Sequence, residues 1–269
     1  MVKYHKKHII LLLLFFVTNS IVFGQKPDTI LIFKFPTLPE TNYYVATGKL
    51  PTPMCSVYLP ENYNEIKKIP VLLWIDGGTG GAGDCVKIIR EKVGTNGIIL
   101  INFPLYKANI DPLLPDTSNY WTRLRIRNSD NEILWNSYKI MLDSLFSLFP
   151  QIDKTNAFMG GFSNGAHATA VLLNRPKHEI TNYFNKFFFI EGGDGLEDYS
   201  VLKNRYVLYM QGTELSYPNW VKSYYLNAKK NKAKANFVYM KGAGHAFPKV
   251  YHKTFRKWIS KTKVTCSRN

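Results

Sequence analysis

Short apolar stretches rich in β-branched and aromatic residues recur along the chain and predict β-strands. They lie at residues 29–35, 54–59, 70–75, 97–103, 156–159, 187–190, 206–210 and 236–240. Stretches with the three- and four-residue apolar spacing of a helix lie at residues 84–93, 132–149, 163–174, 217–230 and 250–261. The first strands follow one another directly, whereas the later strands alternate with helices. This order predicts an α/β fold whose mostly parallel sheet is covered on both faces.

The start of the chain has a different pattern, which is typical of a secretory signal peptide. Lysines precede an unbroken apolar run at 9–17, and Gly24 offers a small residue at the expected cleavage site. The run is well short of the ~20 residues that a membrane-spanning helix needs. We therefore expect residues 1–24 to be a signal peptide and residues 25–269 to form a single domain. The mature protein would be secreted or periplasmic, without stable membrane insertion.

The chain is strongly basic, with a formal net charge of +16. This charge favours contact with anionic polymers or envelope surfaces. The lysines and arginines are scattered, and the denser stretches at 229–234 and 249–263 fit the solvated parts of helices. No stacking platform or base-reading motif accompanies the charge, so we expect no nucleic-acid partner. The sequence makes no prediction about the oligomeric state.

The cysteine content indicates that a large core, rather than disulfides, stabilises the fold. There are three cysteines, Cys55, Cys85 and Cys266, which allow one disulfide at most, and their spacing fits no metal site. The length of the chain is sufficient for one domain with a sizeable core. The irregular stretch 104–130 is long for such a domain, and loops of this length often have a function. We expect it to shape a substrate pocket.

A glycine-flanked serine lies between a predicted strand and a predicted helix. Residues 161–165 read Gly-Phe-Ser-Asn-Gly. A tight strand-to-helix turn needs very small residues two positions before and after its central serine, and Gly161 and Gly165 meet that need. Such a turn exposes the serine oxygen and directs the helix N-terminus towards a developing oxyanion. Ser163 is therefore the candidate nucleophile, and the alternative is a glycine-rich turn with a solvated serine.

The candidate general base is His245, in a glycine-rich loop directly after the last predicted strand. From there an imidazole could reach a serine on a neighbouring strand end. His178 and His252 lie in basic stretches that we expect to be exposed. His167 lies four residues after Ser163 on the same helix face, and we interpret it as a packed histidine.

A carboxylate is needed to orient the histidine, and chain order favours Glu214, which follows the strand predicted at 206–210. A surface glutamate at a helix start would have the same sequence signature. Asp194, after the strand predicted at 187–190, is the alternative acid. Glu197 and Asp198 are weaker candidates.

Two backbone N–H groups are candidates for an oxyanion hole. One belongs to Asn164, the residue after the nucleophile. The other belongs to Gly78, in the glycine-rich run 76–81 that follows the strand predicted at 70–75. This run lacks both the Gly-Lys-Ser/Thr ending of a phosphate-binding loop and the spacing of a dinucleotide fingerprint. We therefore expect no cofactor.

Together these motifs resemble the α/β-hydrolase superfamily. Four segments carry the likeness, which spans residues 55–258: Leu-Pro-Glu-Asn-Tyr at 59–63, the strand and glycines at 68–78, the serine motif at 161–165, and Gly-His at 244–245. The sequence is most similar to the group of secreted esterases that includes esterase D, feruloyl and acetyl-xylan esterases and polyhydroxybutyrate depolymerase-like proteins. The resemblance implies an α/β-hydrolase fold with a mostly parallel eight-stranded sheet flanked by helices. It also implies a Ser–His–acid triad that cleaves carboxylic esters without a cofactor or metal.

Two positions depart from that group. Asp76 stands where the group often has a histidine before the oxyanion glycine, and a carboxylate facing an oxyanion would be unfavourable. Leu215 stands where the group usually has the triad aspartate, and Glu214 lies one residue earlier.

The sequence thus favours a secreted serine esterase acting on a small-molecule or polysaccharide-linked ester. In this hypothesis Ser163, His245 and Glu214 form the triad. One alternative is a catalytically degraded domain that binds a glycan or envelope polymer, with aromatic residues available for stacking on sugars. Those residues are Tyr120, Trp121, Tyr217 and Trp220. A serine peptidase of the same fold is the other alternative.

Overall fold

The computed structural model describes residues 26–35, 54–78, 83, 85–95, 97–105, 126–214 and 219–263. Several predictions concern positions outside these ranges. They are the signal peptide at 1–24, most of the irregular stretch 104–130, the end of the glycine run at 79–81, Tyr120, Trp121, Leu215, Tyr217 and Cys266.

Eight strands form one sheet in the described part of the chain, and each predicted apolar stretch corresponds to one of them. The strands are β1 (Thr29–Lys34), β2 (Met54–Leu59), β3 (Ile69–Ile75), β4 (Ile99–Phe103), β5 (Ile152–Phe162), β6 (Lys186–Ile190), β7 (Tyr206–Gly212) and β8 (Lys234–Met240). Strand β5 is much longer than predicted, because its first half contains the polar residues Asp153, Lys154 and Thr155. Because these residues are polar, the apolar pattern used to predict strands does not include them.

The strand order is β1-β2-β4-β3-β5-β6-β7-β8. Strand β2 pairs antiparallel with β1 and β4, whereas all pairs from β4 through β3 to β8 are parallel. The predicted mostly parallel eight-stranded sheet is thereby confirmed. Parallel strands place their carboxyl ends at the same edge, where the following loops meet. The loops after β3, β5, β6, β7 and β8 carry the candidate site residues.

Helices cover both faces of the sheet, as the alternation of strands and helices predicted. They are α1 (Val86–Val93), α2 (Asn131–Leu148), α3 (Asn164–Leu173), α4 (Trp220–Lys230) and α5 (Lys249–Thr262). Helices α2, α3 and α4 bury apolar residues in one core cluster, and α1 and α5 in the other. Successive residues of β3 alternate between the two clusters, because neighbouring side chains of a strand point to opposite faces. This two-sided burial explains why the central strands are almost continuously apolar.

Short 3-10 turns connect some of these elements, at Asn128–Asp130, Pro176–Asn182 and Tyr199–Leu202. Cys55 and Cys85 form no disulfide bond with any described residue. Burial raises the pKa of the Cys55 thiol well above its ordinary value, which keeps it in the unreactive protonated form. No helix within the described ranges has both the length and the apolar character needed to cross a membrane.

A buried lysine lies at the start of β6. The side chain of Lys186 donates to the carbonyl oxygen of Thr155 at 2.5 Å and to Oδ1 of Asn156 at 2.8 Å. Its ammonium also lies 5.1 Å from the ring centroid of Phe158. Burial lowers the pKa of Lys186 to about 8, because an ammonium group loses its hydration inside the protein.

We expect this lysine to make the free energy of unfolding depend on pH. Between the folded-state pKa of about 8 and the ordinary pKa of ~10.4, the unfolded chain holds more protons, so stability from this group rises with pH. Chemical denaturation should show that the free energy of unfolding of wild type rises from pH 7 to pH 10 by about 2 kcal/mol more than that of Lys186→Met. Equal pH dependence of the two proteins would contradict the prediction.

Candidate active site

Ser163 occupies a strained turn between β5 and α3. Its backbone has φ 53° and ψ −119°, outside the regions that residues with a side chain normally adopt. Such a conformation costs on the order of 1–3 kcal/mol and persists only when its surroundings hold it. Here the Ser163 N–H donates to the carbonyl oxygen of Ile190 at 2.9 Å, and the Ser163 carbonyl accepts from His167 N–H at 3.0 Å. The first bond joins the turn to β6, and the second begins the helix.

The glycines of the motif let the end of β3 pack directly against this turn. A Cβ atom added to Gly161 would lie 2.2 Å from the carbonyl oxygen of Ile75, and one added to Gly165 would lie 2.0 Å from the same oxygen. A Cβ atom on Gly77, just beyond β3, would lie 2.8 Å from Cβ of Ser163. Backbone-to-backbone contact at these positions therefore requires glycine.

His245 lies beside the serine. Its Nε2 atom is 2.8 Å from Oγ of Ser163, a hydrogen-bond distance. The ring also packs on Phe162, with 5.1 Å between the ring centroids. The structure thus brings together the serine and the histidine that chain order singled out, although 82 residues separate them.

The carboxylate next to His245 belongs to Glu191. Its Oε2 atom lies 3.7 Å from Nδ1 of His245, and the residue is fully buried. Its other oxygen, Oε1, accepts a hydrogen bond from the backbone N–H of Gly212 at the end of β7. Oε2 has no hydrogen-bond partner among the described residues. At 3.7 Å the two groups are a little beyond hydrogen-bond distance, so a small movement would join them.

Glu191 also has an unusual backbone, with φ 53°. It directly follows β6, and its N–H donates to the carbonyl oxygen of Met210 at 2.9 Å, which continues the pairing with β7. Close packing extends to the next residue, because a Cβ atom on Gly192 would lie 2.6 Å from the Ser163 carbonyl oxygen. Serine and glutamate therefore occupy neighbouring, equally constrained strand ends.

The predicted acid, Glu214, is placed differently from Glu191. Glu214 is exposed, and its backbone N–H donates to the Ala243 carbonyl oxygen at 2.9 Å. No hydrogen bond or ion pair between Glu214 and His245 occurs in the described part of the structure. Glu214 lies two residues beyond the end of β7 at Gly212, on the exposed part of the turn, whereas Glu191 sits at the buried end of β6. The structure therefore places the glutamate that follows β6, and not the one that follows β7, beside His245.

The alternative acids make other contacts. Oδ1 of Asp194 accepts from the Gly195 N–H at 2.9 Å, and the Asp194 N–H donates to Nδ1 of His167 at 3.1 Å. Glu197 is exposed and accepts from the Asn128 side chain. Asp198 is also exposed, and it accepts from the Ser200 N–H at the start of a 3-10 turn.

Sequence reasoning passed over Glu191, although a usable signal was present. The residue stands immediately after an apolar strand and before two glycines. Glycines at such a position allow close approach of neighbouring backbone, so the carboxylate can lie at a crowded strand end. From this loop our expectation named Asp194, as the alternative to Glu214, on chain order alone. The position of Glu191 at the end of β6 matters because its backbone N–H is bonded to β7, which fixes the place from which its side chain extends to His245.

The oxyanion candidates contact each other. Gly78 has φ 61°, and its carbonyl oxygen accepts a hydrogen bond from Nδ2 of Asn164 at 2.9 Å. Oδ1 of Asn164 accepts from the backbone N–H of Ile126 at 3.3 Å. Asn164 is the first residue of α3, where backbone N–H groups and the helix dipole favour negative charge. Its side chain therefore links the loop after β3 to the segment that leads into α2.

His167 is a packed histidine, in agreement with our interpretation. It is 5% exposed and accepts from the Asp194 N–H, and its ring centroid lies 5.9 Å from that of Trp220. Among the described residues, no cluster of three or more His, Cys, Asp or Glu side chains could hold a metal ion.

Known proteins resemble this chain in structure rather than in sequence. Neither a protein-family model nor a curated protein matches it. An esterase from the fungus Rhizomucor miehei superimposes with a TM-score of 0.56, covering 88% of this chain and 84% of that one at 12% identity. The ferulic acid esterase of Anaeromyces mucronatus gives a TM-score of 0.54, covering 88% and 91% at 16% identity. A thermophilic esterase of Thermogutta terrifontis gives 0.54, covering 84% and 91% at 14% identity.

The chain has the α/β-hydrolase fold. The strand order, the parallel core of the sheet and the agreement with solved esterase structures all show it. In this α/β-hydrolase fold, the nucleophile candidate follows β5, the acid candidate follows β6 and the histidine follows β8. Identities of 12 to 16% mean that the likeness concerns the fold.

We expect Gly165→Ala to be severely destabilising. Its Cβ atom would lie 2.0 Å from the Ile75 carbonyl oxygen, so the end of β3 or the start of α3 must shift. Overpacking against backbone should lower the free energy of unfolding by about 3 kcal/mol or more. Gly244→Ala is the matched control, because nothing lies within 4 Å of an added Cβ there. Urea denaturation measures both, and equal losses would contradict the prediction.

Proposed function

We propose that this protein is a serine hydrolase that cleaves carboxylic esters through an acyl-enzyme. One observation carries the proposal: the row of Ser163, His245 and Glu191, with the serine held in a strained strand-to-helix turn. A strained residue persists at a cost in stability, and such positions concentrate at functional sites. The same row recurs in serine hydrolases because each group performs one step of acyl transfer.

The first half of the proposed reaction forms the acyl-enzyme. Nε2 of His245 accepts the Ser163 hydroxyl proton while Oγ attacks the ester carbonyl carbon, giving a tetrahedral oxyanion. The histidine then donates that proton to the leaving alcohol oxygen as the ester C–O bond breaks. In the second half His245 accepts a proton from water, the resulting hydroxide attacks the acyl carbon, and the proton returns to Ser163.

Glu191 acts on the far side of the imidazole. Its carboxylate favours the tautomer with a proton on Nδ1, which leaves Nε2 able to accept the serine proton. It also stabilises the imidazolium that forms after proton transfer. Gly212 holds Oε1 in place, and Oε2 is directed to His245 at 3.7 Å.

The oxyanion would be stabilised by the backbone N–H groups of Asn164 and Gly78. Asn164 directly follows Ser163, and its side chain donates to the Gly78 carbonyl oxygen. Fixed donors of this kind stabilise the transition state more than the ground state, because the charge develops only during the reaction.

The preference for esters is supported by the similar structures, which are described as fungal, ferulic acid and thermophilic esterases. We infer a small-molecule or polysaccharide-linked carboxylic ester as the substrate class. We also infer that the enzyme is exported, since residues 1–24 have the pattern of a signal peptide.

A catalytically degraded domain fits the geometry less well. That hypothesis was motivated by the irregular acid motif with Leu215 at the usual aspartate position, by Asp76 and by the basic charge. Glu191 supplies a carboxylate from the neighbouring strand end, so the triad does not need one there.

The central test is hydrolysis of p-nitrophenyl acetate by wild type and Ser163→Ala. Removing the nucleophile should lower kcat by at least about 10³-fold, because the acyl-enzyme can no longer form. A fluorophosphonate probe should label wild type and leave Ser163→Ala unlabelled. Ser223→Ala, which changes an exposed helix serine, is the control and should retain wild-type activity.

Two outcomes would contradict this assignment. A wild-type rate in Ser163→Ala would exclude the serine as nucleophile. Faster turnover of peptide amides than of matched esters would identify a peptidase.

The identity of the acid is tested by Glu191→Gln and Glu214→Gln. The first change keeps the shape of the side chain but removes the charge that stabilises the imidazolium, so kcat should fall by about 10²–10⁴-fold. The second change concerns an exposed residue that does not contact His245, and kcat should stay within about 2-fold of wild type. The reverse ranking of the two variants in steady-state kinetics would restore Glu214 as the acid.

A further inference from the structure

Asp76 is a partly buried carboxylate close to the reaction centre that the proposed mechanism does not use. It directly follows β3 and precedes Gly77 and Gly78. An ionised group aimed at the oxyanion would oppose catalysis, because like charges repel most strongly where water is excluded. The direction in which its oxygens point therefore determines what this residue does.

Both oxygens of Asp76 face hydrogen-bond donors on β3 and β4. Oδ1 accepts from the indole Nε1–H of Trp74 at 2.9 Å. Oδ2 accepts from Nδ2 of Asn102 at 3.4 Å. The Cys85 side chain is a further hydrogen-bond partner of the carboxylate. Burial raises the pKa of Asp76, and these donors together with the positive charge of Lys92 act in the opposite direction.

The donors around Asp76 cannot change roles. An indole N–H only donates. Asn102 is fully buried, its Oδ1 accepts from the Cys85 backbone N–H at 2.8 Å, and its Nδ2 also donates to the Trp74 carbonyl oxygen at 3.1 Å. Rotation of the Asn102 amide would break both of these bonds. The position therefore requires a group that accepts at both atoms, as a carboxylate does.

The loop that follows Asp76 contacts the nucleophile turn. An added Cβ on Gly77 would lie 2.8 Å from both Cβ of Ser163 and Cδ1 of Phe162, so this glycine has no room to shift towards the turn. The next residue, Gly78, is held by the Asn164 side chain through its carbonyl oxygen. The loop is thus fixed at one end by Asp76 and at the other by Asn164.

We propose that Asp76 is a positioning residue, whose carboxylate is turned away from the reaction centre and fixes Gly77 and Gly78 so that the Gly78 N–H meets the oxyanion. This inference rests on the proposed esterase function for its catalytic consequence. The anchoring itself depends only on the contacts with Trp74 and Asn102. It also explains how a carboxylate is tolerated where the resembling esterases often have histidine.

The first variant is Asp76→Asn, which keeps the size of the side chain but places an NH₂ group against a fixed donor. Loss of one acceptor should displace the loop and weaken a contact made in the transition state. We expect kcat to fall about 10–100-fold with KM within about 3-fold, since removing an oxyanion donor outright costs about 10²–10³-fold. A wild-type kcat in Asp76→Asn would overturn the proposal.

Trp74→Phe tests the same anchor from the donor side, and Trp258→Phe is its matched control. Both tryptophans lie in the same core cluster and are at most 6% exposed. The Trp74 N–H bonds to Asp76, whereas the Trp258 N–H has no hydrogen-bond partner in the described ranges. We expect kcat to fall about 3–10-fold in Trp74→Phe, as expected for one lost hydrogen bond, and to stay unchanged in Trp258→Phe. Equal losses of kcat in the two variants would assign the effect to core packing and overturn the proposal.

Amide hydrogen exchange provides a measurement that does not depend on ester hydrolysis. The peptide that contains Asp76, Gly77 and Gly78 should exchange faster in Asp76→Asn and Trp74→Phe than in wild type and Trp258→Phe. If Ser163→Ala shows that the protein is not an esterase, this exchange still decides whether Asp76 anchors the loop. Unchanged exchange in both Asp76→Asn and Trp74→Phe would overturn the anchoring role, whatever the effect of these changes on kcat.

Discussion

Close backbone packing at the carboxyl edge of the sheet is the constraint on which the site depends. Around Ser163, the end of β3 and the loop after β6 approach so closely that a single added methyl group would overlap main-chain atoms at Gly161, Gly165 and Gly192. This packing holds the serine at φ 53°, a conformation that it would leave if the neighbouring chains could move apart. Ser163 is therefore positioned by the sheet as a whole rather than by the five-residue motif alone.

The same edge determines which carboxylate lies beside the histidine. Strand β6 lies beside the nucleophile strand, and Glu191 leaves it already directed along the row that ends at His245. Gly212, at the end of β7, donates to one oxygen of Glu191 and approaches the histidine loop so closely that a Cβ there would lie 2.3 Å from the Ala243 carbonyl oxygen. Strands β6, β7 and β8 thus contribute Glu191, Gly212 and the loop with His245 to one group of contacts. The side chain of the exposed Glu214 makes no hydrogen bond or ion pair with His245.

Much of the site was predictable because its signals are local. The turn chemistry around Ser163 needs glycines at fixed offsets, and the place of His245 after the last strand follows from chain order. The acid was not predictable in this way, because several acidic residues follow β6 and β7, and only their distance to the imidazole separates them. Asp76 posed the same difficulty, since a sequence shows that a carboxylate is present but not which donors surround it.

The sequence by itself determined the strands, the helices, the parallel character of the sheet and the nucleophile turn. These features follow from periodicity and from residues whose conformational needs are met within a few neighbours. The tertiary structure alone decided that Glu191 meets His245 and that Asp76 faces Trp74 and Asn102 instead of the oxyanion. The physical reason is that a buried carboxylate is defined by the partners that replace its water, and those partners come from other strands.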